Sequence, residues 1–184
     1  MIPSSSLIGK LVILKPFSET DLPFVQQWSQ DSELRKLTGQ LSAFTPLQVK
    51  QWYREMSADP DRLWFTIVTQ KDNRIIGETG LLRMNPAWKC TDMGIIIGEK
   101  DAWRHGYGTD TGRTLLHYVF DILGFHRIGV GVVGFHTAAL QFWAKLGFKQ
   151  EGVWREGYYY NDQYSDFIMM SILEEEYRQK YLFN

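Results

Sequence analysis

A chain of 184 residues is near the usual size of one domain and buries roughly 70% of its unfolded surface on folding, so a single domain over residues 1–184 is expected. Its 20 lysines and arginines balance 21 aspartates and glutamates, a formal net charge of −1, which excludes a protein that holds nucleic acid or anionic lipid mainly through its overall field. With 44% hydrophobic and 15% aromatic residues the chain is neither disordered nor of low complexity, yet its longest apolar stretches, residues 93–98 and 128–135, fall well short of the roughly 20 that span a bilayer.

The chain begins Met1-Ile2-Pro3-Ser4-Ser5-Ser6, with no basic leader ahead of a long apolar block, and the lone Cys90 cannot close an intrachain disulfide. A soluble, cytoplasmic protein is expected. Residues 10–15 alternate weakly around Leu11, Val12, Ile13 and Leu14 and read as a strand ended by Pro16. Thr20 is expected to cap a helix carrying Leu22, Phe24, Val25 and Trp28. Thr45-Pro46 opens another, with Leu47, Val49, Trp52, Tyr53 and Met56 on its face. Residues 63–69 and 74–82 are β-rich runs joined through Gln70-Lys71-Asp72-Asn73 as a hairpin, and residues 93–97 form a third run.

After Gly106 and Gly108, residues 109–123 carry a helical apolar face of Leu115, Leu116, Val119, Phe120 and Leu123, stopped at Gly124. A strand over 127–133, a short helix over 137–146 closed by Gly147, and strands over 148–155 and 164–173 around an Asn161-Asp162 turn complete the chain. The order β-α-α-β-β-β-α-β-α-β-β implies an α/β domain with a mixed sheet flanked by helices.

The sequence holds no His-Glu-x-x-His helix, paired Cys-x-x-Cys, Gly-x-Ser-x-Gly elbow or Gly-Lys-Ser/Thr phosphate loop, which removes weight from metallohydrolase, serine esterase and P-loop readings. His105, His117, His126 and His136 are too dispersed to nominate a metal site, and no metal is expected. The informative segment is residues 93–109, where an apolar strand runs through a polar turn into two glycines and a helix. Free N–H groups of such a helix's first turn attract anions, the glycines admit close backbone approach, and Arg104 adds a full charge, so a pyrophosphate fits. A dinucleotide fold wants Gly-x-Gly-x-x-Gly directly after its strand. Here Gly112 comes one position late, and about seven residues separate Ile97 from Arg104. Glycines that simply turn strand into helix remain the plain alternative.

The loop Trp103-Arg104-His105-Gly106-Tyr107-Gly108 resembles the acetyl-CoA loop Gln/Arg-x-x-Gly-x-Gly/Ala of the GCN5-related N-acetyltransferases (GNAT), departing at its first position. Residues 136–148, from His136-Thr137-Ala138-Ala139 through Trp143 to Lys145-Leu146-Gly147-Phe148, are similar to the family's Asn-x-x-Ala…Tyr…Lys-x-Gly-Phe helix. Residues 160–166 with Met170 and Leu173-Glu174-Glu175-Glu176-Tyr177 resemble the C-terminal hairpin of the branch holding ribosomal-protein N-terminal and spermidine acetyltransferases, and Leu14-Lys15-Pro16…Asp21-Leu22 resembles its opening.

The resemblance implies a mostly antiparallel sheet with a splayed parallel strand pair holding acetyl-CoA as cosubstrate, and direct transfer of acetyl to a primary amine. Ile95, Ile96 and Ile97 would bind it through backbone, and Arg104, His105, Gly106, Tyr107, Gly108 and Thr109 through the loop. An alkyl amine with pKa near ~10.4 is protonated at neutral pH and needs a base, for which Asp92 and Glu78 are the candidates, each equally readable as an ordinary strand carboxylate. Glu99, in the turn beyond, is a poorer one.

The family's tyrosine acid falls on Trp143, whose indole is not a usable acid, so a non-catalytic acyl-CoA-binding domain stands as the alternative. Trp143 is expected either beside the cofactor thiol or in the core. His136, in place of the family Asn, is expected to bond the cofactor or cap its helix. The acceptor is expected to be a small amine or a protein N-terminus. The uncharged stretch 37–44 weakens polyamine recognition, while Trp154, Tyr158, Tyr159 and Tyr160 suit stacking on an acceptor or a dimer surface, leaving monomer and homodimer both open.

Overall fold

The structure, a computed structural model, describes residues 5–40 and 42–182. Residues 1–4 of the leader reading and Leu41 of the uncharged stretch lie outside the described residues. A mixed sheet carries the strands β1 (Leu7–Ile8), β2 (Val12–Pro16), β3 (Leu63–Thr69), β4 (Ile75–Asn85), β5 (Cys90–Ile97), β6 (Arg127–Val133), β7 (Lys149–Tyr160) and β8 (Gln163–Leu173) in the order β1-β2-β3-β4-β5-β6-β8-β7. Every neighbouring pair is antiparallel except β5 with β6. The expected α/β fold with one parallel strand pair is what forms.

Helices α1 (Leu22–Ser29), α2 (Ser32–Thr38) and α3 (Pro46–Ala58) cover one region of the sheet through Leu22, Val25, Trp28, Leu34 and Val49. The larger core joins the sheet to α4 (Tyr107–His117), which runs on as a π-helical turn to Ile122, and to α5 (Thr137–Leu146). Phe65, Ile67, Leu115, Leu116, Ile128 and Ile172 are fully enclosed there. A last helix, α6 (Glu174–Tyr181), continues β8. No helix of the described residues is long and apolar enough to cross a membrane.

Several local expectations are corrected. Thr20 does not cap α1: the chain makes a short 3-10 turn over Glu19–Asp21, and the Asp21 carboxylate accepts from the Ser18 N–H at 2.9 Å and from Thr66 Oγ at 2.7 Å. The two-helix excursion after the first long strand has three helices. The additional α2 starts at Asp31, whose carboxylate accepts from the N–H groups of Glu33 and Leu34, and stops at Gly39 in the left-handed region at φ +80°. The C-terminal hairpin is longer than expected, because Asn161 and Asp162 at φ +49° and +59° form its two-residue turn and let pairing begin at Tyr160 with Gln163.

One long-range contact fixes the start of α4. The carboxylate of Asp110, 9% exposed, accepts from the backbone N–H groups of Lys10, Leu11 and Val12 at 2.6–3.1 Å, clamping the β1–β2 turn onto the helix. A Cβ at Gly9 would overlap this carboxylate, so the turn approaches closely only because residue 9 has no side chain. Asp110→Ala leaves these donors without their acceptor and is expected to cost about 3 kcal/mol, lowering the melting temperature by roughly 6–12 °C in a thermal unfolding scan.

Candidate functional site

The parallel pair β5–β6 has only three rungs, Cys90 with Arg127, Thr91 with Ile128 and Asp92 with Gly129. The strands therefore separate directly after Asp92, five residues before β5 ends at Ile97. β6 turns to follow β8 along its whole length, and the space it leaves is filled from α4 and α5. A Cβ at Gly112 would meet Leu146 and lie 3.5 Å from the Ile95 side chain, and one at Gly108 would sit 3.5 Å from Phe142 and 3.9 Å from Ile97. Gly112, one position late for a dinucleotide fingerprint, is thus a helix-packing glycine. Residues 93–97 keep β4 on one side and have no strand on the other, so every second residue offers backbone groups to a ligand.

Strand alternation sends Ile95 and Ile97 toward α4 and α5 and Ile96 to the opposite face. There Ile96 pairs with Glu78 of β4, and both line a cavity of about 30 Å³ closed by Val25, Trp28, Ser29, Leu34, Thr38 and Gln40. Glu78 is 6% exposed, and its Oε2 accepts from the Trp64 indole N–H at 3.1 Å. Burial disfavours the carboxylate more than that one bond favours it, and the pKa is pushed up to about 7.

Asp92, the other candidate base, shares this face but lies four residues back along β5, about 13 Å away at strand rise. Its Oδ2 accepts from Arg83 Nε at 2.7 Å and pairs with Arg83 Nη2 at 2.6 Å. The structure does not bring the two carboxylates together.

The turn after β5 is held by three contacts that the sequence did not reveal. The Trp103 indole donates to the Ile97 carbonyl at 2.7 Å, which gives the unusual first residue of the loop its use. Trp28 lies against Gly98, where a Cβ would overlap its indole, and donates to Glu99 at 2.8 Å. Glu99 in turn pairs with Arg74 at 2.8 Å. Beyond the turn, Arg104 and Gly106 take left-handed conformations at φ +64° and +87°.

The chain then enters α4 at Tyr107, two residues before the expected Thr109, with the Asp110 N–H donating to the Gly106 carbonyl at 2.9 Å. Arg104, His105 and Gly106 are exposed, while Tyr107, Gly108 and Thr109 are half-buried in the first turn, whose N–H groups have no partner within the helix.

His136 is half-buried at the start of α5, and burial holds its imidazole below the usual histidine range. Its side chain does not cap the helix. Its carbonyl accepts from the N–H groups of Ala139 and Leu140 instead. Trp143 is 5% exposed and packs edge to face with Phe142 and Phe148, each centroid 4.9 Å away, so its ring is spent on the core. Phe142 is the α5 ring beside Gly108. The ring lies between α5 and the start of β7, the core position that was one of its two expectations.

Residues 12–149 match the acetyltransferase (GNAT) domain family. A probable N-acetyltransferase of Bacillus subtilis (strain 168) is 25% identical over 94% of this chain and 99% of its own length. The spermidine N(1)-acetyltransferase of Escherichia coli (strain K12) is 23% identical over 90% and 88%. Among solved structures, a spermidine N-acetyltransferase from Vibrio cholerae in complex with CoA and spermine superposes with a TM-score of 0.80 at 22% identity, covering 91% of this chain and 98% of that one.

The buried carboxylate has a measurable consequence for stability. A pKa raised from 4.5 to about 7 means that the native state binds more protons than the unfolded one between these values, so the contribution of Glu78 is full below pH ~4.5 and is lost as pH rises through 7. Glu78→Gln does not ionise, and is expected to gain stability relative to the parent from pH 5 to pH 8, approaching about 3 kcal/mol in denaturant unfolding at the two pH values.

Proposed function

The chain belongs to the GNAT acetyltransferase family, and we propose that it transfers acetyl from acetyl-CoA to a primary amine, with Glu78 as the base. The observation that carries this reading is a buried carboxylate, poised near neutral pH, in a cavity beside the strand edge that β6 has left open. The residues present suit the cosubstrate. The first turn of α4 offers the N–H groups of Tyr107, Gly108 and Thr109 to a pyrophosphate, Arg104 supplies charge, and residues 93–97 offer backbone partners to the amides of its arm.

Acetyl-CoA supplies an activated acetyl thioester. The chain's own part begins when ionised Glu78 accepts a proton from the incoming ammonium and so exposes the nitrogen lone pair. The Trp64 indole fixes one carboxylate oxygen and leaves the other for that proton. As the nitrogen forms its bond to the acetyl carbon, the carbon–sulfur bond breaks and the electron pair leaves with sulfur. Backbone N–H groups on the open edge of β5 are suited to hold the carbonyl oxygen. The nitrogen, now bonded to the acetyl carbon, gives its second proton to solvent, and a thiol with pKa near ~8.5 leaves tolerably as thiolate and is protonated from solvent in turn, so a tryptophan at residue 143 slows this step without forbidding it.

A second reading, a non-catalytic acyl-CoA-binding domain, is favoured by one observation: Trp143 stands where the family tyrosine would, and is buried. Release of free thiol from acetyl-CoA, dependent on added amine, separates the two. Turnover is expected, with kcat/KM rising through an inflection near pH 7; Glu78→Gln is expected to lose that inflection and about 10²–10⁴ in rate. In calorimetry Gly108→Glu, at a position where a Cβ meets only ordinary contacts, is expected to weaken acetyl-CoA binding tenfold or more.

A further inference from the structure

Given the proposed acetyl transfer, on which this step rests, we infer that the acceptor is a monoamine, one primary ammonium on a slender apolar stem, and not a polyamine. The cavity around Glu78 has walls of Val25, Trp28, Leu34 and Ile96, and its volume of about 30 Å³ exceeds the roughly 10–15 Å³ that a water-sized group needs, enough for an ammonium group. Its other polar neighbours carry no charge and are held by bonds within the protein. Ser29 Oγ donates to the Gln26 carbonyl and accepts from the Phe44 N–H, Thr38 Oγ donates to the Leu34 carbonyl, and Gln40 Nε2 donates to the Ser42 carbonyl. Glu78 is left as the one anionic group that receives the acceptor.

A polyamine needs further carboxylates for its second and third ammonium groups. Carboxylates on the walling elements and the turn beside them are already ion-paired within the protein, two of the cations each bridging two: Lys100 Nζ lies 2.7 Å from both Asp31 and Glu33, Arg74 holds Glu99 and Asp101, and Arg83 holds Asp92. An aromatic face beyond the cavity is taken as well. Lys36 Nζ sits over the Phe135 ring at 5.0 Å, while Tyr158 packs edge to face on Phe135 and donates its hydroxyl to the Lys36 carbonyl at 2.6 Å. The position that would stabilise a second ammonium by cation–π attraction therefore already holds a lysine, two residues before Thr38 of the cavity wall. Charge recognition ends at one ammonium.

The test is amine-dependent thiol release at saturating acetyl-CoA with n-butylamine and with spermidine, in the full chain and in Lys36→Glu. The expected result is a kcat/KM for butylamine at least tenfold above that for spermidine, with the ratio falling threefold or more in Lys36→Glu. Equal or better use of spermidine by the parent overturns the inference and leaves the acetyltransferase reading standing. An unchanged ratio in Lys36→Glu, with the melting temperature also unchanged, overturns the role given to Lys36. Acetyl-CoA bound in calorimetry with no thiol released by either amine overturns the proposed function and this inference together.

Discussion

The arrangement depends on how few rungs hold β5 to β6. Two parallel strands paired along their length would satisfy each other's backbone groups and leave nothing for a ligand. Here pairing ends at Asp92, because β6 follows β8 while β5 stays with β4. The divergence is accompanied by close packing of α4 on α5 at Gly112, where a Cβ would overlap Leu146, while Gly108 lies at ordinary contact distance from Phe142. It also sets the positions of both halves of the site, since the open strand edge and the start of α4 border the same opening.

The cost of this geometry falls on Glu78. A carboxylate enclosed by apolar walls with one indole donor is destabilising when ionised, and a chain selected only for stability would place an amide or an apolar residue there. Asp92, about 13 Å away on the same face, has the opposite surroundings, held by a guanidinium and partly in water. Of two carboxylates on one face, the enclosed one is thus the one without a cation.

The high aromatic content has a specific use around this site. Of the seven tryptophans, three donate their indole N–H groups to acceptors that shape it: Trp28 to Glu99, Trp64 to Glu78 and Trp103 to the Ile97 carbonyl. Each packs as a hydrophobic body while fixing one polar atom, which suits positions where a flexible donor would lose more conformational freedom. Lys100, between Asp31 and Glu33, joins α2 to the same turn, so the segment that leads into α4 is braced against the helices that wall the Glu78 cavity.

Much of the fold was legible because local chemistry and tertiary packing agree. β-branched runs bounded by turn residues gave the central strands, Thr45-Pro46 and Gly147 marked helix ends, and the glycine loop before α4 pointed to the family. Where packing decided, local signals misled or were silent. The end of β5–β6 pairing depends on which partner β6 prefers, the pointing of Trp143 on the space between α5 and β7, and the first turn of the α1 region on an Asp21 carboxylate also bonded by Thr66. The sequence by itself determined the order of the long strands and of the helices α1, α3, α4 and α5, the glycine-led start of α4 and two carboxylates as rival bases. Only the tertiary structure distinguished their surroundings, because burial and ion pairing arise from contacts between elements: Trp64 and the α1–α2 walls enclose Glu78 and raise its affinity for a proton, while Arg83 pairs with Asp92.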